Sequence, residues 1–234
     1  MAAEFRHEYK YLCSQDTLLV AGARLASLMK PDPHAGADGS YLVRSVYFDD
    51  PENRNYYENE DGEDPRAKYR LRIYNGSDER ISLERKAKIR TMTHKDAVLV
   101  SRAEAEALLA GKIPIPKPEQ PSMLRRMLAD MRLRALHPAV IVQYRRTPFV
   151  LSTGNVRITL DEAITSSLAV RRFFGREIPG RQILADGQGI LEVKWDSFLP
   201  DYLHRALELE KLQWSGFSKY YLCRRFDTKG GNWL

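Results

Sequence analysis

Basic and acidic side chains recur in this chain at a spacing of two. Arg66, Lys68, Arg70 and Arg72 alternate with Ala67, Tyr69, Leu71 and Ile73. Glu84, Lys86, Lys88 and Arg90 share a parity opposite Leu83, Ala87 and Ile89. Arg6, Glu8 and Lys10 oppose Phe5, His7, Tyr9 and Tyr11; Tyr144 goes with Arg146, Arg157 with Thr159 and Asp161, and Glu192 with Lys194. In a β-strand a period of two is one face, so each segment predicts a strand with one charged side. Guanidinium forks and ammonium groups are donors to phosphate oxygens, and sparse carboxylates among them serve as ion-pair partners or hold a divalent cation. Two arrangements are open. The charged sides could be the solvated face of a sheet packed on helices. They could instead line a closed barrel whose apolar outer wall is jacketed by helices. Like charges crowded inside a barrel repel, so the second arrangement calls for a polyanion to fill it. The aromatic residues mostly alternate away from the charged faces, which disfavours a nucleic-acid stacking surface.

The elements that position these residues follow from periodicity and punctuation. Strands are predicted over 4–12, 41–48, 66–74, 80–90, 92–100, 139–150, 155–164, 168–174 and 189–196, with a turn at Asn75-Gly76-Ser77-Asp78. Helices are predicted over 16–28, after the Ser101/Glu104 capping box as far as Gly111, over 122–136 with Ser122 as cap, and over 200–212. One helical turn is expected near Tyr56 within the acidic connection 49–64, and another turn or two over 217–226. Segments 30–39 and 113–121, with their prolines, are connections. Sequential strands favour antiparallel pairing. Because the charged parity appears on both sides of the Pro-rich connector, residues 1–234 are expected to form a single domain.

Composition narrows the classes. Of 234 residues, 43% are apolar and 29% charged, an ordinary globular mixture, with a formal net charge of +6. The positive excess agrees with an anionic partner. No apolar run reaches the ~20 residues of a spanning helix. The first ten residues hold no apolar stretch, so no secretory signal is expected. Cys13 and Cys223 are the only cysteines, which makes no metal-ligand spacing and points to a reducing, cytoplasmic setting.

Eight short motifs occur in order: Arg6-x-Glu8-x-Lys10-Tyr11, Ser45-Val-Tyr47-Phe48-Asp49, Tyr69-Arg70-Leu-Arg72, Leu83-Glu84-Arg85-Lys86, Tyr144-Arg145-Arg146-Thr147, Val156-Arg157-Ile158, Leu191-Glu192-Val193-Lys194 and Ser218-Lys219-Tyr220. Together they resemble the VTC domain, the polyphosphate polymerase domain of the vacuolar transporter chaperone complex, in a stand-alone bacterial form. That domain belongs with the triphosphate tunnel metalloenzymes and CYTH proteins. The resemblance runs from Arg6 to about Phe226. It implies an α+β fold: a closed antiparallel eight-stranded β-barrel forming a tunnel with a charged lumen, jacketed by several helices. It implies a polyphosphate polymerase that transfers the γ-phosphoryl of ATP to a growing polyphosphate chain, with Mn²⁺ or Mg²⁺. By motif, Arg70, Arg72, Lys86 and Lys219 would be the catalytic cations. Lys10, Lys95, Tyr144, Arg146, Arg157 and Ser218 bind substrate, and Glu192 is the metal ligand. The partners implied are ATP and polyphosphate, with no nucleic acid and no transmembrane segment.

The chain departs from its relatives in three places. The hydrolase branch carries E-x-E-x-K on its first strand, where this chain has Arg6, so one metal carboxylate is missing. Lys88 stands where the eukaryotic polymerase has His. The SPX domain and membrane anchor that accompany that polymerase are not expected. Two rivals remain: a tripolyphosphate or nucleoside triphosphate hydrolase on the same tunnel, and a non-catalytic polyanion- or RNA-binding module with its basic strands on an open surface. Glu8 and Glu84 are expected as structural ion-pair partners. Asp161 and Asp196 are expected as strand-end caps or water-mediated metal ligands, Tyr47 as packing, and His94 as a surface or a paired residue rather than a catalytic one.

Overall fold

The computed structural model describes residues 6–90, 92–214 and 218–228. Its strands are β1 (Arg6–Ser14), β2 (Lys30–Pro31), β3 (Tyr41–Asp49), β4 (Arg66–Tyr74), β5 (Ser77–Ile89), β6 (Met92–Leu99), β7 (His137–Leu151), β8 (Val156–Ser167), β9 (Arg181–Gln182) and β10 (Gln188–Trp195). Its helices are α1 (Gln15–Leu28), α2 (Arg54–Glu60), α3 (Arg102–Leu109), α4 (Ser122–Leu133), α5 (Asp201–Ala206) and α6 (Lys219–Thr228).

The long strands pair in the order β7-β3-β4-β5-β6-β1-β10-β8, and β8 pairs back onto β7. Every pairing is antiparallel, so eight strands close a barrel. The two-residue strands β2 and β9 only extend its edges. Closure leaves one thin seam: β1 and β6 share two residue pairs, Arg6 with Thr93 and His7 with Met92.

Alternation decides what faces where. The outer face of β3, β4, β5 and β7 buries Val46, Tyr69, Leu71, Leu83 and Ile141 against Leu108 of α3 and Met127 and Met131 of α4. The outer face of β1, β8 and β10 buries Tyr11, Ile158 and Leu191 against Leu18 and Leu25 of α1 and Leu203 of α5. A third cluster lies on the inner side, where Val43, Val142 and Ile190 meet Tyr56 of α2 and Tyr220 and Cys223 of α6. Helix α6 is therefore drawn to the barrel's interior, and its first turn enters the charged region. No described helix is long and apolar enough to cross a membrane.

Several boundaries differ from expectation for local reasons. The turn after β4 is the two-residue Asn75-Gly76, both at positive φ (51° and 69°), so β5 begins at Ser77. Segment 168–174 is not a strand but a 3₁₀ turn around Val170–Arg172. The buried Arg44 guanidinium takes the carbonyls of Phe173 (2.8 Å) and Gly175 (2.6 Å), which holds that segment off the sheet. Ser122 caps nothing: Pro121 occupies the cap position of α4. Helix α5 stops at Ala206, followed by Glu208 in the left-handed region (φ 50°). The first strand runs on to Ser14, whose hydroxyl accepts from Thr17 N–H and caps α1. Of the predicted segments, Glu4, Phe5 and Phe217 lie outside the described residues.

Candidate functional site: a cationic tunnel

The barrel interior is a tunnel lined by ten Lys and Arg side chains and two carboxylates, Glu8 and Glu192. The cations come from β1 (Lys10), β4 (Arg66, Lys68, Arg70, Arg72), β5 (Lys86, Lys88), β7 (Arg146), β10 (Lys194) and α6 (Lys219). Tyr47, Tyr144, Asn59, Thr93, Trp214 and Ser218 complete the wall. No histidine is among these residues. Register brings the opposite charges together: Lys10 pairs with Glu192 and Glu8 with Lys194 between β1 and β10, Arg70 with Glu84 between β4 and β5, and Arg146 with Asp161 between β7 and β8.

Four carboxylates organise the cations, each serving at least two. Glu8 takes Lys10 at 2.5 Å and Lys86 at 2.6 Å. Glu84 takes Arg70 at 2.6 Å, with Lys95 at 3.7 Å and Arg72 at 3.9 Å. Asp161, fully buried, takes a two-pronged contact from Arg146 (2.6 and 2.7 Å) and Lys219 at 2.6 Å. Glu192 touches Lys194, with Lys219 at 3.5 Å and Arg146 at 3.9 Å. Burial pulls these carboxyls upward, but the cations around them win. Lys10 and Lys86 hold Glu8 well below the usual carboxylate range, and Lys194, Lys219 and Lys10 do the same for Glu192. Arg70 and Arg72 depress Glu84; Arg146 and Lys219 depress Asp161. All four are ionised at neutral pH.

The cations outnumber the acids, and the lysines register it. Burial pushes Lys86 down to about 7, because Glu8 is shared with Lys10 and cannot compensate both. Burial, reinforced by Arg66, pushes Lys68 down to about 7 as well. Lys219 goes the other way: burial lowers it, but Asp161 and Glu192 hold it above an ordinary lysine. The arginines cannot shed their charge. Arg72 donates to Ser45 Oγ (3.1 Å) and Tyr144 Oη (3.4 Å), and Arg70 to Tyr47 Oη (2.8 Å). Glu84 is shared between these two and Lys95, so guanidinium charge remains in the lumen without a full counter-charge.

Of the residues expected by motif, Lys10, Arg70, Arg72, Lys86, Tyr144, Arg146, Glu192, Ser218 and Lys219 share the tunnel wall. Two do not. Lys95 projects from β6 beside the thin β1–β6 seam, is more than half exposed (55%), and reaches only Glu84. Arg157 is captured at the start of β8 by Asp32 (2.7 Å) and the Tyr41 hydroxyl (2.9 Å), away from the lining. Conversely Arg66, Lys68, Lys88 and Lys194 line the tunnel without having been assigned a role, although strand parity already placed them on the charged faces. Tyr47 adds an inward hydroxyl. Asn59 and Trp214 carried no sequence signal, since α2 and the segment after α5 bring them in.

The donor set admits a divalent cation only in part. No three His, Cys, Asp or Glu side chains converge among the described residues. Arg6, in place of a first-strand carboxylate, bonds Asp196 at 2.6 Å outside the lining. Glu192 and Glu8, on adjacent strands, are the inward carboxylates, and Mg²⁺ or Mn²⁺ commonly binds through one or two carboxylates with phosphate oxygens supplying the rest. The residues fit an ion that arrives with phosphate.

The fold has solved counterparts. A proposed adenylyl cyclase from Hippeastrum with a dominant triphosphatase activity is similar at 13% identity over 95% of each chain, with a TM-score of 0.56. A proposed adenylate cyclase from Bacillus halodurans is similar at 15% identity over 90% of this chain and 89% of that one, with a TM-score of 0.51. At such identities the likeness is one of fold, the closed antiparallel tunnel barrel. No curated protein matches the chain. The model of the VTC domain matches residues 5–226, which spans every strand of the barrel and most of the helix that carries Lys219 into it, and the chain belongs to that family.

Proposed function

We propose that the protein is a polyphosphate polymerase that transfers the γ-phosphoryl group of ATP to the end of a growing polyphosphate chain inside this tunnel. What supports the reading is the ionic imbalance of a closed lumen: ten basic side chains on the wall are served by four carboxylates, Glu8, Glu84, Asp161 and Glu192, and the ligand that balances the excess is a chain of phosphates. Phosphoryl transfer asks for alignment and charge neutralisation more than for covalent help. Arg70 and Arg72, two residues apart on β4, present planar donors to successive phosphoryl groups. Lys10, Lys86 and Lys219 are point charges that neutralise equatorial oxygens. The terminal phosphate of the acceptor chain is already ionised, so the step needs no general base, in keeping with a lining without histidine. Glu192, with Glu8 beside it, would hold Mn²⁺ or Mg²⁺, which supplies stabilisation of charge on the phosphate oxygens and the departing nucleotide. We read the chain as one domain working in the cytoplasm on ATP and polyphosphate.

The test is incubation with ATP and Mn²⁺, with products resolved on a gel. Long chains are expected. Orthophosphate without chains replaces the polymerase with a hydrolase on the same tunnel. Tight RNA binding indifferent to tripolyphosphate would favour a non-catalytic module.

A further inference from the structure

Lys68 is a lumen lysine that none of the assignments above employs. It projects into the tunnel from β4, two residues before Arg70. The other lysines near the carboxylates each touch one: Lys10 and Lys86 share Glu8, Lys219 holds Asp161, and Lys194 holds Glu192. Lys68 differs. Its Nζ donates to two neutral oxygens, Asn59 Oδ1 at 3.0 Å and Ser218 Oγ at 3.3 Å, and sits 4.9 Å from the centre of the Tyr220 ring. Among the described residues no carboxylate lies within ion-pair distance of it. The charges facing it are mostly positive: Lys86 is its direct partner on β5, Arg66 flanks it on β4, and Lys10 acts from β1. Asp49 of β3 and Glu58 of α2 oppose these only from beyond contact.

The surroundings thus hold an amine in position without supplying the negative charge that an ammonium needs. Asn59 from α2 and Ser218 at the start of α6 fix the nitrogen at the tunnel wall. We propose that Lys68 is a phosphate-binding residue of the tunnel whose charge is completed by the incoming phosphate, so that loading the tunnel takes up a proton. The proposal rests on the reading that the tunnel binds a phosphate chain. In chemical terms a neutral amine, a solvent proton and a phosphate oxyanion become an ammonium bonded to the phosphate oxygen; no other bond changes. Burial and Arg66 hold the phosphate-free group near 7. An oxyanion in contact raises it, so uptake is small at pH 6 and grows as pH rises above 7.

The experiment is titration calorimetry with tripolyphosphate, metal-free, at pH 8. It is run in two buffers of different ionisation enthalpy, on the wild type, Lys68→Arg and Lys68→Met. Arginine keeps the charge at all working pH values, so Lys68→Arg should bind without the extra proton. Wild type is expected to take up close to one proton more than either variant. Lys68→Met should bind about tenfold more weakly than wild type at pH 6, where Lys68 is charged without help. Ionisation of tripolyphosphate and of Lys86 is common to all three proteins and drops out of the difference. A lysine acting only as a strut between α2 and α6 would change affinity or stability but not the proton count. Equal proton counts in wild type and Lys68→Arg overturn the proposal while leaving the tunnel reading intact. A wild type that binds no tripolyphosphate removes both. Should Lys68→Met fail to fold, the Lys68→Arg comparison decides the matter alone.

Discussion

Replacing Asp161 by Asn removes one negative charge from the most buried ion cluster in the barrel while keeping side-chain volume. Asp161 has no exposed surface, and it accepts from Arg146 at 2.6 and 2.7 Å and from Lys219 at 2.6 Å. In the variant these two buried cations retain only Glu192, at 3.9 Å from Arg146 and 3.5 Å from Lys219. Removing one partner from a buried ion pair costs about 3–5 kcal/mol, because the charge left behind is uncompensated. Glu192 offsets part of this, so the lower end of the range applies, about 3 kcal/mol. A domain of this size loses roughly 2–4 °C of Tm per kcal/mol, which makes the expected drop on the order of 10 °C at low salt.

The same substitution enlarges the cation excess that the substrate would balance. Tripolyphosphate bound beside Arg146 and Lys219 replaces the missing carboxylate, so the Tm gain at saturating ligand should be larger for Asp161→Asn than for wild type. The assay is thermal denaturation at pH 7 with and without tripolyphosphate, metal-free. A drop under about 2 °C would show that the Arg146–Asp161–Lys219 cluster is not an essential counter-charge. A ligand-induced gain no greater than that of wild type would refute the link between the cluster and the phosphate site.

Three further outcomes are expected. Glu192→Gln should lower polymer synthesis by on the order of 10²-fold or more yet bind metal-free tripolyphosphate at least as tightly as wild type does, whereas Arg72→Ala should weaken that binding outright; calorimetry with parallel rate assays separates them. Arg6→Glu should not create a metal-dependent tripolyphosphatase, because position 6 faces Asp196 rather than the tunnel, and phosphate release in Mg²⁺ measures this. Phosphate-free protein should gain thermal stability between pH 7 and 9, since Lys68 and Lys86 are deprotonated above about 7 in the folded state but stay protonated to ~10.4 in the unfolded chain; a flat Tm over that interval would contradict the assignment.

Strand parity proved informative because barrel closure turns one face of every strand inward. Arg70, Arg72, Lys86, Arg146 and Glu192 could therefore be placed together from alternation alone. Failures cluster where parity ceases to govern. Arg157 has the right parity but lies at a strand end, within reach of Asp32 on a connection that no periodicity positions. Lys95 pairs with Lys86 in register, yet β1 leaves β6 after two residue pairs and the side chain falls into solvent. Segment 168–174 reads as a strand in the sequence, but Arg44, a buried charge distant in sequence, claims its carbonyls. Lys68 was visible on the charged face of β4. What was invisible was its lack of an acidic partner, which depends on α2 and α6 meeting there.

The four buried carboxylates would be a liability in a site built only for anions, since each repels phosphate. Their placement resolves this. Each sits at or behind the wall and divides its charge between two or more cations, as Asp161 does between Arg146 and Lys219 and Glu8 between Lys10 and Lys86. A cation held in this way is rigid but only half neutralised, and its remaining donors face the lumen. Full pairing would leave no attraction for phosphate, and no pairing would leave like charges too crowded to fold. Partial pairing makes binding and stability one quantity. Whatever phosphate gains by completing the charge of Arg70, Arg72 or Lys219, the folded state gains as well. Variants that weaken tripolyphosphate binding by removing a cation that touches no carboxylate, such as Lys68, should accordingly be no less stable than wild type without ligand. Variants that remove an acid should be less stable, and ligand should rescue them more.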